Sequence, residues 1–294
     1  MSVTRTRAID ELLVGLIDYA GLFPPAALGM RDAVHAFAQY RAGADAWALG
    51  RFVVPVARLA EFSAEATALL TEGNPWRLSV LAGIADAEMI AQFNGSHAGR
   101  AVIDSIEAKA TTIDEIHALA ALAGAERLVY VEIPLGGSTD ALIDAMATHG
   151  LRAKVRTGGV TAEAFPAALA VAHFLLSCAR AGVACKATAG LHHPVRGEYR
   201  LTYAHDAASG TMFGFLNVMC ASMLIGDGLP MQDAVALLDE RDPTAFHVSD
   251  DGIRWRDWLV PVADIRAARA RAANSFGSCS FEEPIHDLKQ LAML

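Results

Sequence analysis

The chain has 294 residues, 53% of them apolar and 19% charged, with a net charge of −9 from 24 Lys and Arg against 33 Asp and Glu. This is ample material for a large core and excludes a disordered chain; 24 glycines and 11 prolines exclude a collagen-like or low-complexity one. No basic stripe marks nucleic acid or an anionic membrane as a partner: the densest run, Arg266, Arg269 and Arg271, is interleaved with alanines and reads as a solvated helix face. No apolar run reads as the uninterrupted span of about 20 residues that a membrane helix needs. The opening MSVTRTRAID is followed by no signal-peptide core, so a cytoplasmic protein is expected. Cys178, Cys185, Cys220 and Cys279 form no CxxC pair and are expected as thiols, most of them in the core.

In chain order, β-rich runs alternate with amphipathic stretches. The runs are Gly15–Phe23 (ended by Pro24 and Pro25), Ala48–Pro55, Arg77–Gly83, Ala101–Glu107, Arg127–Pro134, Leu151–Thr157, Ala184–Gly190 and Ser275–Phe281. Between them, stretches such as Met30–Tyr40, Thr112–Ala123 and Ser138–His149 have helical apolar spacing. Eight strand–helix units imply parallel strands with helical crossovers, and no GxGxxG follows the first run. The expected fold is a single-domain (β/α)8 TIM-type barrel over 1–294, with a long insertion between strands seven and eight at about 193–262. That insertion holds a polar loop, apolar helices near Met212–Ile225 and Met231–Leu238, and a hairpin turn at Asp251–Gly252. A lid and an oligomer contact are equally good uses for it, and a homo-oligomer is compatible with its apolar helix.

Barrel strands carry aliphatic side chains inward, so inward charges are expected to gather at the C-terminal mouth. In LRAKVRTGG, Lys154 and Arg156 share a face; in ACKATAGLHHP, Lys186 and Thr188 do. Lysines on neighbouring strands repel, and burial acts in the same direction, so a lysine with a depressed pKa, able to form a Schiff base, is expected. A buried ion pair between one lysine and Glu132 is the competing expectation. Glu132, near the mouth in RLVYVEIP and on the face of Tyr130, is the best proton carrier. Asp104 could serve too, but Asp104 and Glu107 have opposite parity and should not both face inward. On the first run, either Asp18 or Tyr19 points inward.

At these lysines the sequence resembles Schiff-base aldolases of the deoxyribose-phosphate aldolase type, in the segments AKVRTGG, CKATAGLHH and SFGSCSF, about a tenth of the chain. The resemblance implies Lys154 as the imine lysine and Lys186 as its neighbour, with Gly277 and Ser278 helping to hold a substrate phosphate. Three features depart from that pattern. The second lysine is followed by Ala189–Gly190, the basic residue after it is replaced by His192 and His193, and the proton-carrying carboxylate has no unambiguous match among Asp104, Glu107 and Glu132.

The expected function is therefore a small-molecule lyase of aldolase type acting on a small anionic carbonyl substrate. Lys154, Lys186 and Glu132 would be catalytic. Arg156 would anchor an anion, with Thr188, His192, His193, Gly277 and Ser278 as further substrate contacts. An isomerase or lyase that stabilises an enolate-like anion, and a non-catalytic barrel that binds an anionic metabolite, are the alternatives. Adjacent histidines on an extended segment point apart and no HxH or HExxH occurs, so no metal is expected, nor any other cofactor. Ser280 with Glu283 three residues on also reads as a helix capping box, which competes with a phosphate there.

Overall fold

Short β-rich runs separated by alanine-rich amphipathic segments can bury both strand faces only as a parallel sheet wrapped in helices. The computed structural model describes residues 5–294. Helix α1 (Arg7–Leu13) leads into β1 (Ile17–Tyr19), α2 (Met30–Ala42), β2 (Leu49–Pro55), α3 (Leu59–Ala66), β3 (Trp76–Leu81) and α4 (Ala87–Ser96). There follow β4 (Ala101–Lys109), α5 (Ile113–Leu119), β5 (Leu128–Glu132), α6 (Thr139–Thr148), β6 (Arg152–Arg156), α7 (Ala168–Ala181) and β7 (Cys185–Thr188). After β7 come β8 (Gly197–Arg200), β9 (Ser209–Met212), α8 (Phe215–Gly226), α9 (Met231–Leu238), β10 (Phe246–Val248), β11 (Gly252–Trp255) and β12 (Trp258–Pro261). The chain ends with α10 (Val262–Arg271), β13 (Ala273–Ser278) and α11 (Glu282–Gln290). Strands β1 to β7 and β13 form one closed, all-parallel barrel in which β13 lies between β7 and β1, so the fold is a (β/α)8 barrel.

The first barrel strand is shorter than its apolar run. Gly15 turns in with φ +58°, and after Tyr19 the chain enters a loop closed by Phe23 N donating to Ala20 O and Leu28 N to Gly21 O. The last barrel strand begins earlier and stops at Ser278, leaving Cys279–Phe281 to the turn into α11. Outward strand residues meet the helices in an aromatic layer: Phe37 packs edge-on to Phe52 and Trp76 with centroids 5.3 and 4.9 Å away, and Phe62 continues it to Phe93.

The stretch after β7 is not one lid. The hairpin β8–β9 rises beside the mouth and packs against the β6–α7 loop, whereas α8 is the crossover helix, buried between α7, α10 and the barrel. Its Phe215 stacks on Phe276 of β13 at 5.0 Å, and Phe213, Met219 and Met223 are buried in the same chain. The antiparallel meander β10–β12 packs with α10 and α8 and touches α1, which precedes the base of β1, so it sits away from the mouth. Its first turn is Ser249–Asp251, with Gly252 opening β11 at φ +153° where a side chain would run into Val260 O.

One surface expectation is corrected. Arg269 is buried and donates to the carbonyls of Glu11, Val14 and Asn274, tying α10 to α1 and β13, so the arginines are not simply a solvated face. The stretch Ala162–Ala181 has the length and mean hydropathy, 1.5, of a membrane span. In the barrel it is a short turn, Pro166 and then α7, whose Val171, Phe174, Leu175 and Cys178 are buried.

Candidate active site

The barrel interior is not aliphatic below its mouth. Inward positions of β1 to β7 carry a chain of ion pairs that runs through the barrel. At the base, Arg51 grips Asp104 through two bonds of 2.6 and 3.0 Å, and Arg77, 56% exposed at its side chain, binds the same carboxylate. Asp18 accepts from the Arg51 backbone N–H at 2.7 Å and from Ser275 Oγ at 2.9 Å. Its other neighbour is Lys186, whose Nζ lies 2.6 Å from both Asp18 Oδ2 and Glu107 Oε1. Glu107 Oε2 then binds Lys154 Nζ at 2.7 Å, and Lys154 binds Glu132 Oε2 at 2.9 Å. Lys109, at the outer end of β4, completes the chain at 3.6 Å from Glu132.

A bulge makes this possible. Pairing between β3 and β4 runs Leu78 with Ile103 and then Ser79 with Ser105, skipping Asp104. The extra residue resets the alternation, so Asp104 and Glu107 both enter the interior, against the parity expectation. Ser79 Oγ uses the same face to reach Glu107 Oε1 at 2.7 Å and Ser105 Oγ at 3.0 Å. On β1 it is Asp18 that faces in, while Tyr19 packs outward against Phe37 and Tyr40. Gly50 provides the room: a Cβ there would collide with the Asp18 carboxylate.

The lysines stand in register on β6 and β7 with carboxylates between them, and Lys186 is not depressed as expected. Burial pushes Lys186 down, but the charges of Asp18 and Glu107 outweigh it and hold the ammonium well above its ordinary value. Burial pushes Glu107 up, but Lys154 and Lys186 hold it well below the usual carboxylate range. Glu132 is likewise raised by burial and brought net below its ordinary value by Lys154, Lys109 and Arg156. Lys186, 1% exposed, also faces the ring of Tyr130 at 5.8 Å and has no open side. Lys154 is 5% exposed, and its partner Glu132 opens onto a mouth cavity of about 460 Å³ lined also by Lys109, Pro134, Arg156 and Glu163.

Sequence reasoning thus brought together Lys154, Lys186 and Glu132, and Arg156 lies on the same cavity, exposed, with Nε donating to Gly158 O at 3.1 Å. Thr188 sits at the end of β7 against Gly277, where a Cβ would approach its Oγ1 to 3.1 Å. His192 and His193 are engaged elsewhere. His192 Nδ1 lies 3.1 Å from Glu283 Oε2 and 3.4 Å from Ser278 Oγ; His193 Nδ1 lies 2.6 Å from Asp287 Oδ2 and stacks on Tyr199 at 3.6 Å. Burial lowers His192, but hydrogen bonds to Cys279 and Glu283 overcome it and the imidazole is pushed up to about 9. The capping box is half made: Glu283 N donates to Ser280 Oγ at 3.1 Å, while the Glu283 carboxylate turns to His192 and Tyr203. Among the described residues no cluster of three or more His, Cys, Asp or Glu side chains has the geometry of a metal site.

The missed members are Ser79, Ser275 and Arg51, in roles beside the lysines. Their signal was a polar residue inside an apolar strand, as in RLSVL and GRFVV. Two larger cavities lie elsewhere, one of about 610 Å³ at the base between α7, α8 and α10 and one of about 750 Å³ between α2 and α11; neither touches the lysines. No protein-family model matches the chain, and no curated protein matches it significantly.

Proposed function

We propose that the barrel is a lyase of aldolase type in which Lys154 forms a Schiff base with a small carbonyl substrate. The observation that carries this reading is the asymmetric sharing of Glu107. Lys186 is enclosed and held charged between two carboxylates, whereas Lys154 sits one residue from solvent beside a second carboxylate, Glu132, that opens onto the mouth cavity.

The chemistry balances with these groups alone. Glu132 takes a proton from the Lys154 ammonium, and the freed lone pair attacks the carbonyl carbon while the C=O π pair moves to oxygen. Glu132 returns that proton to the oxygen, giving a carbinolamine. A second proton travels from nitrogen to oxygen by the same route; water leaves and the nitrogen lone pair closes the C=N bond. Glu132, again a carboxylate, takes either an α-proton or the proton of a β-hydroxyl; the electron pair of the α C–H bond, or of the C–C bond between the α and β carbons with the β carbon leaving as an aldehyde, forms the enamine C=C while the C=N π pair moves to nitrogen. Glu132 returns the proton (a deuteron in deuterium oxide) to the α carbon, and addition of water to the iminium releases the carbonyl product and the amine. Lys186 neutralises half of Glu107, so that Lys154 is not held by two full negative charges. Arg156, exposed on the same cavity, would take a substrate carboxylate in this reading.

Incubating acetone with the protein in deuterium oxide and following the methyl signal by NMR tests this reading. Wild type is expected to exchange the α-protons, and Lys154→Arg to lose at least 100-fold. Exchange that survives Lys154→Arg would move the reading to anion stabilisation without a covalent imine.

A further inference from the structure

Resting on the lysine reading above, we infer that the substrate is a 2-oxo acid, a ketone with a carboxylate on its carbonyl carbon, and that Lys109 and Arg156 hold that carboxylate beside the imine. Lys109, Glu132, Lys154 and Lys186 stand in register on four successive strands, β4 to β7, and so form one row around the barrel. Lys109 continues the inward face of β4 two residues beyond Glu107, as Arg156 continues that of β6 two residues beyond Lys154. Glu132 lies between two ammonium groups: its Oε1 is 3.6 Å from Lys109 Nζ and its Oε2 is 2.9 Å from Lys154 Nζ. The nucleophilic nitrogen and a second cation therefore border the same carboxylate. An anion on Lys109 falls next to the carbon that Lys154 attacks, which is where a 2-oxo acid carries its charge.

The two cations are loosely held. Arg156 makes no ion pair among the described residues, and its Nε donates to Gly158 O at 3.1 Å. The Lys109 side chain is 77% exposed, and its ion pair to Glu132 is the long one. Both line the mouth cavity of about 460 Å³ together with Glu132 and Glu163. A guanidinium offers a carboxylate two parallel hydrogen bonds, and the ammonium supplies a third. Two cations set against two carboxylates suit a single negative charge better than the two of a phosphate. Binding would also change Glu132. Burial raises its pKa, and Lys154, Lys109 and Arg156 bring it net below its ordinary value. A substrate carboxylate on Lys109 and Arg156 offsets two of those three cations, so Glu132 becomes the stronger base once the substrate is in place.

The test is the rate of cyanoborohydride trapping on Lys154, read by peptide mapping, with two pairs of ketones at equal concentration. One pair is pyruvate and its uncharged counterpart pyruvamide; the other is dihydroxyacetone phosphate and dihydroxyacetone. Each ratio of charged to uncharged ketone is divided by that of the same pair on Nα-acetyl-lysine, which removes intrinsic reactivity. The pyruvate ratio is expected to be at least tenfold and to exceed the phosphate ratio. Lys109→Gln and Arg156→Gln are each expected to cut it at least threefold, and Lys109→Arg, which keeps the charge, to retain most of it. A pyruvate ratio no higher than on the free amino acid, a larger ratio for the phosphate pair, or a ratio unchanged in both glutamine variants overturns the inference and leaves the lysine reading intact. Absence of Lys154 adducts with all four ketones removes the lysine reading and this inference with it.

Discussion

Lys154 and Lys186 divide one carboxylate between them: Glu107 gives Oε2 to the first at 2.7 Å and Oε1 to the second at 2.6 Å. The two ammonium groups differ in what else they hold. Lys186 has the fully buried Asp18; Lys154 has Glu132, which reaches the mouth and is shared with the exposed Lys109.

This difference separates the two lysines in stability. Lys186→Met leaves Asp18 without a cation and Glu107 with one, both buried, and should cost about 3–5 kcal/mol, the usual consequence of stripping one partner from a buried pair. Lys154→Met leaves Glu107 on Lys186 and Ser79 and Glu132 near solvent, so a cost of about 1–3 kcal/mol is expected. Urea unfolding of both variants measures the gap; equal losses would contradict it.

Glu107→Gln removes the shared charge but keeps the shape. Lys154 is then held by Glu132 alone and Lys186 by Asp18 alone, and the coupling between the lysines is gone. With one negative charge fewer beside it, Lys154 gives up its proton more readily, so the α-proton exchange rate of a folded variant should be at least that of wild type. A large fall in exchange would show that Glu107 takes a direct part in the proton transfers assigned to Glu132.

Gly50→Ala tests the β1 side without touching a charge. The new Cβ meets the Asp18 carboxylate and the carbonyls of Ile17 and Gly15 at 3.1 and 3.2 Å. Asp18 must then yield its bonds to Arg51 N and Lys186. A loss of about 1–3 kcal/mol in thermal or urea unfolding is expected from such overpacking, and wild-type stability would show that Asp18 is held more loosely.

His192 gives the fold a pH dependence on the alkaline side. Its folded value is raised to about 9 against an ordinary 6.5. Its contribution is therefore fully present below about 6.5 and is lost as pH rises through about 9. The groups facing it are Glu283, Ser278 and Cys279, with Tyr203 on Glu283. Wild-type stability should decline between pH 7 and 9.5 by ~3 kcal/mol at most, and His192→Gln should flatten that decline. A variant with the same slope would assign the decline to other groups.

The eight barrel strands were legible because each is a short β-rich run between alanine-rich amphipathic segments, and that alternation has one closed solution at this length. Their faces were legible for β6 and β7, where Lys154 and Lys186 interrupt otherwise small or aliphatic strands. What escaped was whatever depends on register. The skipped residue at Asp104 has no sequence mark, yet it decides that Glu107 and not only Glu132 reaches the lysines. The expected depressed lysine failed for the same reason, since its sign turned on carboxylates brought in from β1 and β4. His192 and His193 follow β7 as expected, but their partners Glu283 and Asp287 lie one helical turn apart on α11, far along the chain.

The most direct test of the central claim is the address of the imine. Acetaldehyde with borohydride, followed by proteolysis and mass mapping, should place a reduced two-carbon adduct on Lys154, with Lys186 unlabelled and labelling abolished by Lys154→Arg. Labelling of Lys186 in its place, or no adduct at either lysine while exposed Lys109 and Lys289 react, would contradict the account.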